Sequence, residues 1–139
     1  MAEAHHNYED WVYMLTQTDL LQGFDLQQLI FTLPVLPGKT QALKEFIATA
    51  MGPKWKEYDA SQKRHGIHKE TWFLQSTPQG DWIISYAELD DIQKAFGGFA
   101  VSTDPFDVWA RDQTKEITGI DFSQPPQTPL PEQILKYGY

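Results

Sequence analysis

The sequence predicts an α+β domain of ferredoxin-like order, β-α-β-β-α-β with an antiparallel sheet. Three observations carry this: a β-branched and aromatic run at 26–35, two alternating segments at 67–76 and 81–88, and helical stripes placed between and after them. An acidic N-terminal helical arm (1–27) and an extended proline-rich tail (124–139) flank the domain at 28–123.

The arm is expected to be a short helix, capped by Asn7, with Asp10 in its first turn and Trp11, Met14 and Leu15 on one face. The first strand is "LQQLIFTLPV", in which Pro34 must lie at the end or on an edge because it has no amide proton to donate. In "PGKTQALKEFIATAMG", Leu43, Phe46, Ile47, Ala50 and Met51 fall at i, i+3, i+4, i+7 and i+8, one buried stripe of a helix. Gly52 interrupts it, and Pro53 is expected to begin a second helical segment with Trp55, Tyr58 and Gln62 on one face and Gly66 as its stop.

The two alternating segments are joined by "TPQGD", a turn suited to an antiparallel hairpin. Glu70, Trp72, Leu74 and Ser76 oppose Lys69, Thr71, Phe73 and Gln75, while Trp82, Ile84, Tyr86 and Glu88 oppose Ile83, Ser85 and Ala87. Trp72 and Tyr86 are expected to share the bulkier face. Asp90 is expected to cap the next helix, with Gln93 completing a capping box and Ile92, Ala95, Phe96 and Phe99 buried. "STDPFD" restarts a helix with Asp104 as cap, Pro105 first, and Phe106, Trp109, Ala110, Gln113 and Ile117 on one face; Gly119 ends it and "IDF" is expected as a last short strand. The tail "SQPPQTPLPEQ" is expected to lie extended on a surface.

At 139 residues, 41% hydrophobic and 14% aromatic, the chain forms one domain with a packed core. Its net charge of −8 argues against nucleic acid, whose binding needs Lys and Arg against phosphates. No apolar run approaches the roughly 20 residues of a membrane span, and the N-terminus lacks the basic and apolar regions of a secretory signal. A cytoplasmic protein without membrane contact is expected. The absence of cysteine excludes disulfides and thiolate chemistry.

The motifs "LPGK" (36–39), "RHGI" (64–67), "WFLQSTPQGD" (72–81) and "DPFDVW" (104–109) resemble a little-characterised bacterial family of dimeric α/β-barrel proteins. It is similar in architecture to the antibiotic-biosynthesis monooxygenases and small polyketide cyclases. The resemblance covers about 28–123 and implies a homodimeric barrel. It assigns no catalytic set, because that architecture hosts cofactor-free oxygenases, cyclases, haem enzymes and plain binders.

For the chemistry, His65 and His68 are candidate proton acceptors, with Tyr86 beside them as a candidate catalytic group. No metal is expected, since Gly66 breaks the helix between the two histidines and His5 and His6 are adjacent and point apart. No nucleophile elbow or phosphate loop is present, so no cofactor is expected either. Tyr58, Trp72, Gln75, Phe106 and Trp109 are candidate ligand contacts, large aromatics with a few polar tips. Arg64, Glu70, Asp81, Asp107 and Arg111 read as surface ion-pair partners at the rim. The expected function is binding of an aromatic or polyketide-like small molecule by a cofactor-free oxygenase, cyclase or proton-transfer enzyme. The alternative is a non-catalytic ligand-binding or interaction module.

Because both faces of the hairpin carry apolar residues and helices cover only one, a second copy of the sheet is expected on the other. A dilute sample should sediment at twice the chain mass. A strict monomer at micromolar concentration would overturn the paired-sheet arrangement.

Overall fold

A computed structural model describes residues 26–138, with the order β1 (Gln27–Pro34), α1 (Thr40–Met51), α2 (Trp55–Arg64), β2 (Ile67–Thr77), β3 (Gly80–Leu89), α3 (Ile92–Val101) and α4 (Pro105–Thr118). The fold is α+β, with four helices and a three-stranded antiparallel sheet in the order β1-β3-β2. The expected acidic arm and its helix capped at Asn7 lie outside the described residues. No helix among the described residues is long and apolar enough to cross a membrane.

Pairing brings Leu29, Phe31 and Leu33 opposite Ala87, Ser85 and Ile83, and Glu70, Trp72 and Leu74 opposite the same three β3 residues. Directly opposed residues share a face, so these positions form one side, and the burial of Ile83, Ser85, Ala87 and Leu89 identifies it as the side under the helices. The other side presents Ile30, Phe73, Trp82, Ile84 and Tyr86. This register corrects one expectation: Tyr86 stands opposite Thr71, and Trp72 opposite Ser85, so Trp72 and Tyr86 lie on opposite faces.

The core is divided. One cluster joins Leu33, Ile83, Leu43, Phe46, Phe106, Ala110 and Ile117; the other joins Leu29, Ala87, Leu89 and Ala95, with Phe31 packed against both. Pro34 ends β1 as expected. In α1, Leu43, Phe46 and Ala50 are buried, whereas Met51 at the end of the stripe is exposed.

Three further expectations are corrected. Pro53 does not start α2: Lys54 N bonds back to Thr49 O, leaving Pro53 in the turn and Trp55 as the first helical residue. Asp91, not Asp90, caps α3. Its backbone is extended and its carboxylate accepts from Lys94 N, while Asp90 N is committed to Gly66 O. The strand expected at "IDF" does not form, because Asp121 Oδ1 accepts from both Ser123 N and Ser123 Oγ, which curls the chain into a turn. Phe122 instead packs its ring against Phe31, Phe96 and Phe99. Asp104 caps α4 by accepting from Phe106 N, with Pro105 first, and Gly119 closes it at φ 79°, both as expected.

Gly66 joins α2 to β2 at φ 70°, where an L side chain is strained, and a Cβ there would stand 2.8 Å from Asp90 Oδ2. Gly66→Ala should therefore cost roughly 1–3 kcal/mol in urea unfolding. Unchanged stability would show that the turn relaxes freely.

Candidate functional site

Between the inner face of the sheet and the helices lies a cavity of about 530 Å³. Its floor is apolar, from Leu29, Leu33, Ile83 and Ala87, and its walls include Phe46, Trp72, Phe96, Phe99 and Phe106. It separates the two core clusters. A space of this size, mostly apolar with few polar groups, is the usual form of a small-molecule site.

One wall is polar, and it comes from α2. Tyr58, Ser61 and Gln62, with His65 just past the helix end, follow i, i+3, i+4 and i+7 spacing and all line the cavity. The helix fully buries only Ser61 and packs just Tyr58 against the core, so its apolar attachment to the sheet is slight. Two carboxylates hold it instead.

The first is Glu70, on the inner face of β2. Its Oε1 accepts from Tyr58 Oη at 2.6 Å and Gln62 Nε2 at 2.9 Å, and its Oε2 from Trp72 Nε1 at 3.0 Å. Burial, then the charge of Glu70, then the hydrogen bond to it push the Tyr58 phenol far up, so this hydroxyl stays a donor.

The second is Asp107, in the first turn of α4 and 0% exposed. It accepts from Ser61 Oγ at 2.5 Å, Ser102 Oγ at 2.6 Å, His65 Nε2 at 2.9 Å and Arg64 at 3.2 Å. Arg64 also reaches Asp104 at 3.3 Å. Burial pushes the Asp107 carboxyl up, but the bonds from Ser102, Ser61, His65 and Arg64 outweigh it and hold it down at about 2. The opposite flank of the His65 ring packs on α3, where a Cβ on Gly98 would stand 3.1 Å from Nδ1.

The sequence-predicted residues divide accordingly. Tyr58, His65, Trp72 and Phe106 line the cavity. Trp109 stands behind the wall, 5.1 Å from Phe46 and 5.4 Å from Phe106 by ring centroids, with Lys54 Nζ 5.1 Å from its own ring. His68 is turned away and pairs with Asp90 at 2.8 Å, so the two histidines do not converge. Gln75 is exposed on the outer face. Tyr86 is also on the outer face, where its hydroxyl donates to Glu88 at 2.7 Å and accepts from Gln28 at 3.2 Å. Alternation along β2 and β3 points Gln75 and Tyr86 away from the helices, while His68 stands at the register shift between Ile67 and Lys69, where alternation is broken. Glu70 and Asp107, expected as rim ion-pair partners, are the two polar centres of the interior.

Sequence reasoning missed Ser61, Ser102 and the roles of these two acids. The signal for Asp107 is its place at helical spacing with Ala110, Thr114 and Ile117, all buried; that for Glu70 is its sharing a strand face with Trp72. Ser85 Oγ, fully buried on β3 opposite Trp72, has no hydrogen-bond partner among the described residues. Among those residues no group of three His, Asp or Glu side chains is placed to hold a metal.

A family model described as "Family of unknown function (DUF6176)" matches residues 27–130, which takes in every strand and helix above. No curated protein and no solved structure matches the chain.

The lowered carboxyl of Asp107 has a pH consequence with a definite sign. Its folded value of about 2 lies below the unfolded value of 3.8, so its contribution is complete above about pH 4 and is lost as pH falls toward 2. The loss should be about 2 kcal/mol. Asp107→Asn should remove this acid limb from the stability profile measured by urea unfolding. A limb of the same size in the variant would place its origin elsewhere.

Proposed function

The chain belongs to the DUF6176 family of unknown function, so its activity is read from the cavity itself, and we propose that the domain binds a flat, largely apolar small molecule there. The observation that carries this reading is an interior space of about 530 Å³ with aromatic walls and a hydrogen-bonded carboxylate on one side. Aromatic rings bury a planar ligand on both faces, and one fixed polar group orients it.

The catalytic form of this reading is a cofactor-free enzyme of proton-transfer, cyclase or oxygenase type. It draws on one pairing, the Glu70 carboxylate against the protonated Tyr58 hydroxyl, an acceptor and a donor at 2.6 Å on the cavity wall. In this form Glu70 takes the role first expected of His65, His68 and Tyr86. A non-catalytic binder uses the same contacts without turnover.

A homodimer, as in a dimeric α/β barrel, belongs to the same proposal. Phe73 is 60% exposed, and Ile30 and Trp82, also exposed, lie on the same uncovered face of the sheet.

Binding is tested with a neutral apolar dye, Nile red, titrated into the purified protein. One dye per chain is expected. Ala50→Leu, which adds side-chain volume at a cavity-lining position, should weaken binding about tenfold while the variant still melts cooperatively. Equal affinity in parent and folded variant would place the dye, and the site, elsewhere.

A further inference from the structure

Several acids among the described residues are matched to cations. Asp59 pairs with Lys63, Glu88 with Lys69, Glu116 with Lys39, and Asp121 with Lys115. Asp107, fully buried, takes both Arg64 and His65. Glu70, the acid that lines the cavity, has no such partner. Its three donors, Tyr58, Gln62 and Trp72, are all neutral, and among the described residues no Lys, Arg or His nitrogen stands within 4.0 Å of it. Lys44 also lines the cavity, beyond 4.0 Å of the Glu70 carboxylate.

Neutral hydrogen bonds hold a carboxylate in place but leave its charge unbalanced. A half-buried anion beside an apolar space is strongly favoured by a positive charge brought within reach. The surrounding rings act in the same direction. Tyr58 and Phe106 lie 6.0 Å apart and Trp72 adjoins Phe46 at 6.4 Å, all lining the cavity, and aromatic faces attract organic cations. Three of the roughly four lone-pair sites of the carboxylate are occupied by donors, which leaves one for a ligand.

We propose that the cavity selects organic cations: molecules with a flat apolar body and a protonated amine or amidine, whose N–H group docks on Glu70 while the body lies among Trp72, Phe106 and Tyr58. This rests on the cavity being a small-molecule site and names the class of molecule it takes. It requires no change to the protein's own hydrogen bonds, since the three neutral donors remain and preorganise the anion.

The test uses three probes of one shape and different charge: naphthylmethylamine, naphthalenemethanol and naphthoate, titrated calorimetrically at neutral pH. The amine should bind at least about tenfold tighter than the alcohol, and the naphthoate weakest. Glu70→Gln removes the charge at nearly the same volume, so it should bring amine and alcohol to within about twofold of each other. Glu70→Asp keeps the charge but withdraws it by one methylene, and should lower the amine preference even if the Gln variant does not fold. An amine no tighter than the alcohol, or a preference that survives in folded Glu70→Gln, would overturn the cation assignment and leave the cavity as an apolar site. Failure of all three probes to bind would overturn the cavity reading together with it.

Discussion

Asp107 sits where the C-terminus of α2, the turn at Ser102 and the first turn of α4 meet, and from α4 its carboxylate accepts from the other two. As an anion in the first turn of α4 it also lies at the positive end of that helix. Its position gives α2 an attachment that apolar packing provides only slightly, since this helix fully buries only Ser61. Removal of the carboxylate would leave the buried Ser61 and His65 side chains without their acceptor, at the cost of unsatisfied groups, and would take one of two carboxylates from Arg64. The polar wall of the cavity therefore stands on electrostatics. Without Asp107, the polar hold on α2 would be reduced to the bonds of Tyr58 and Gln62 to Glu70.

Glu70 and Asp107 show how the same chemical group does two jobs in one domain. Asp107 is closed on every side, with cations among its partners and no surface left to solvent. Glu70 is bonded by neutral groups and faces open space. The one holds the helical layer. The other leaves an unmatched charge at the cavity, and α2 links the two because Ser61 and His65 bond to one acid and Tyr58 and Gln62 to the other.

Much of this fold is legible in the sequence, because local rules act there without competition. The cap at Asp104, the stop at Gly119 and the stripe of α1 follow from periodicity and helix-end chemistry. The failures are cases in which a local rule met a tertiary one. Asp90 is a good cap by composition, yet its amide is tied to Gly66 across the hairpin, so Asp91 takes the role. "IDF" has strand-like residues, but the Asp121 carboxylate finds Ser123 two residues on and curls the backbone first. For the site, alternation divided the β2 residues correctly into two sets but did not say which set faces the helices. That choice needs the register with β1 and β3, and it decides that Trp72 and Glu70 face inward while Gln75 and Tyr86 do not. Charged residues were the hardest to read, because composition marks them as surface and only their neighbours in space reveal them as interior.

The strand order β1-β3-β2 also bears on how the chain reaches this structure. β2 and β3 close across the two residues Pro78 and Gln79, whereas β1 meets β3 only once α1 and α2 have been spanned. Closing a short loop loses much less chain entropy than closing a long one, so the hairpin is favoured as the early element and β1 as the late one. Until β1 docks, the central strand has one edge unpaired and Trp82 and Ile84 lie open beside it, a surface on which another chain can add a strand. The cavity takes its floor from β1 and β3 together, so it is complete only when the slowest pairing has formed. Any crowding of the chain during synthesis thus competes with the step that makes the site.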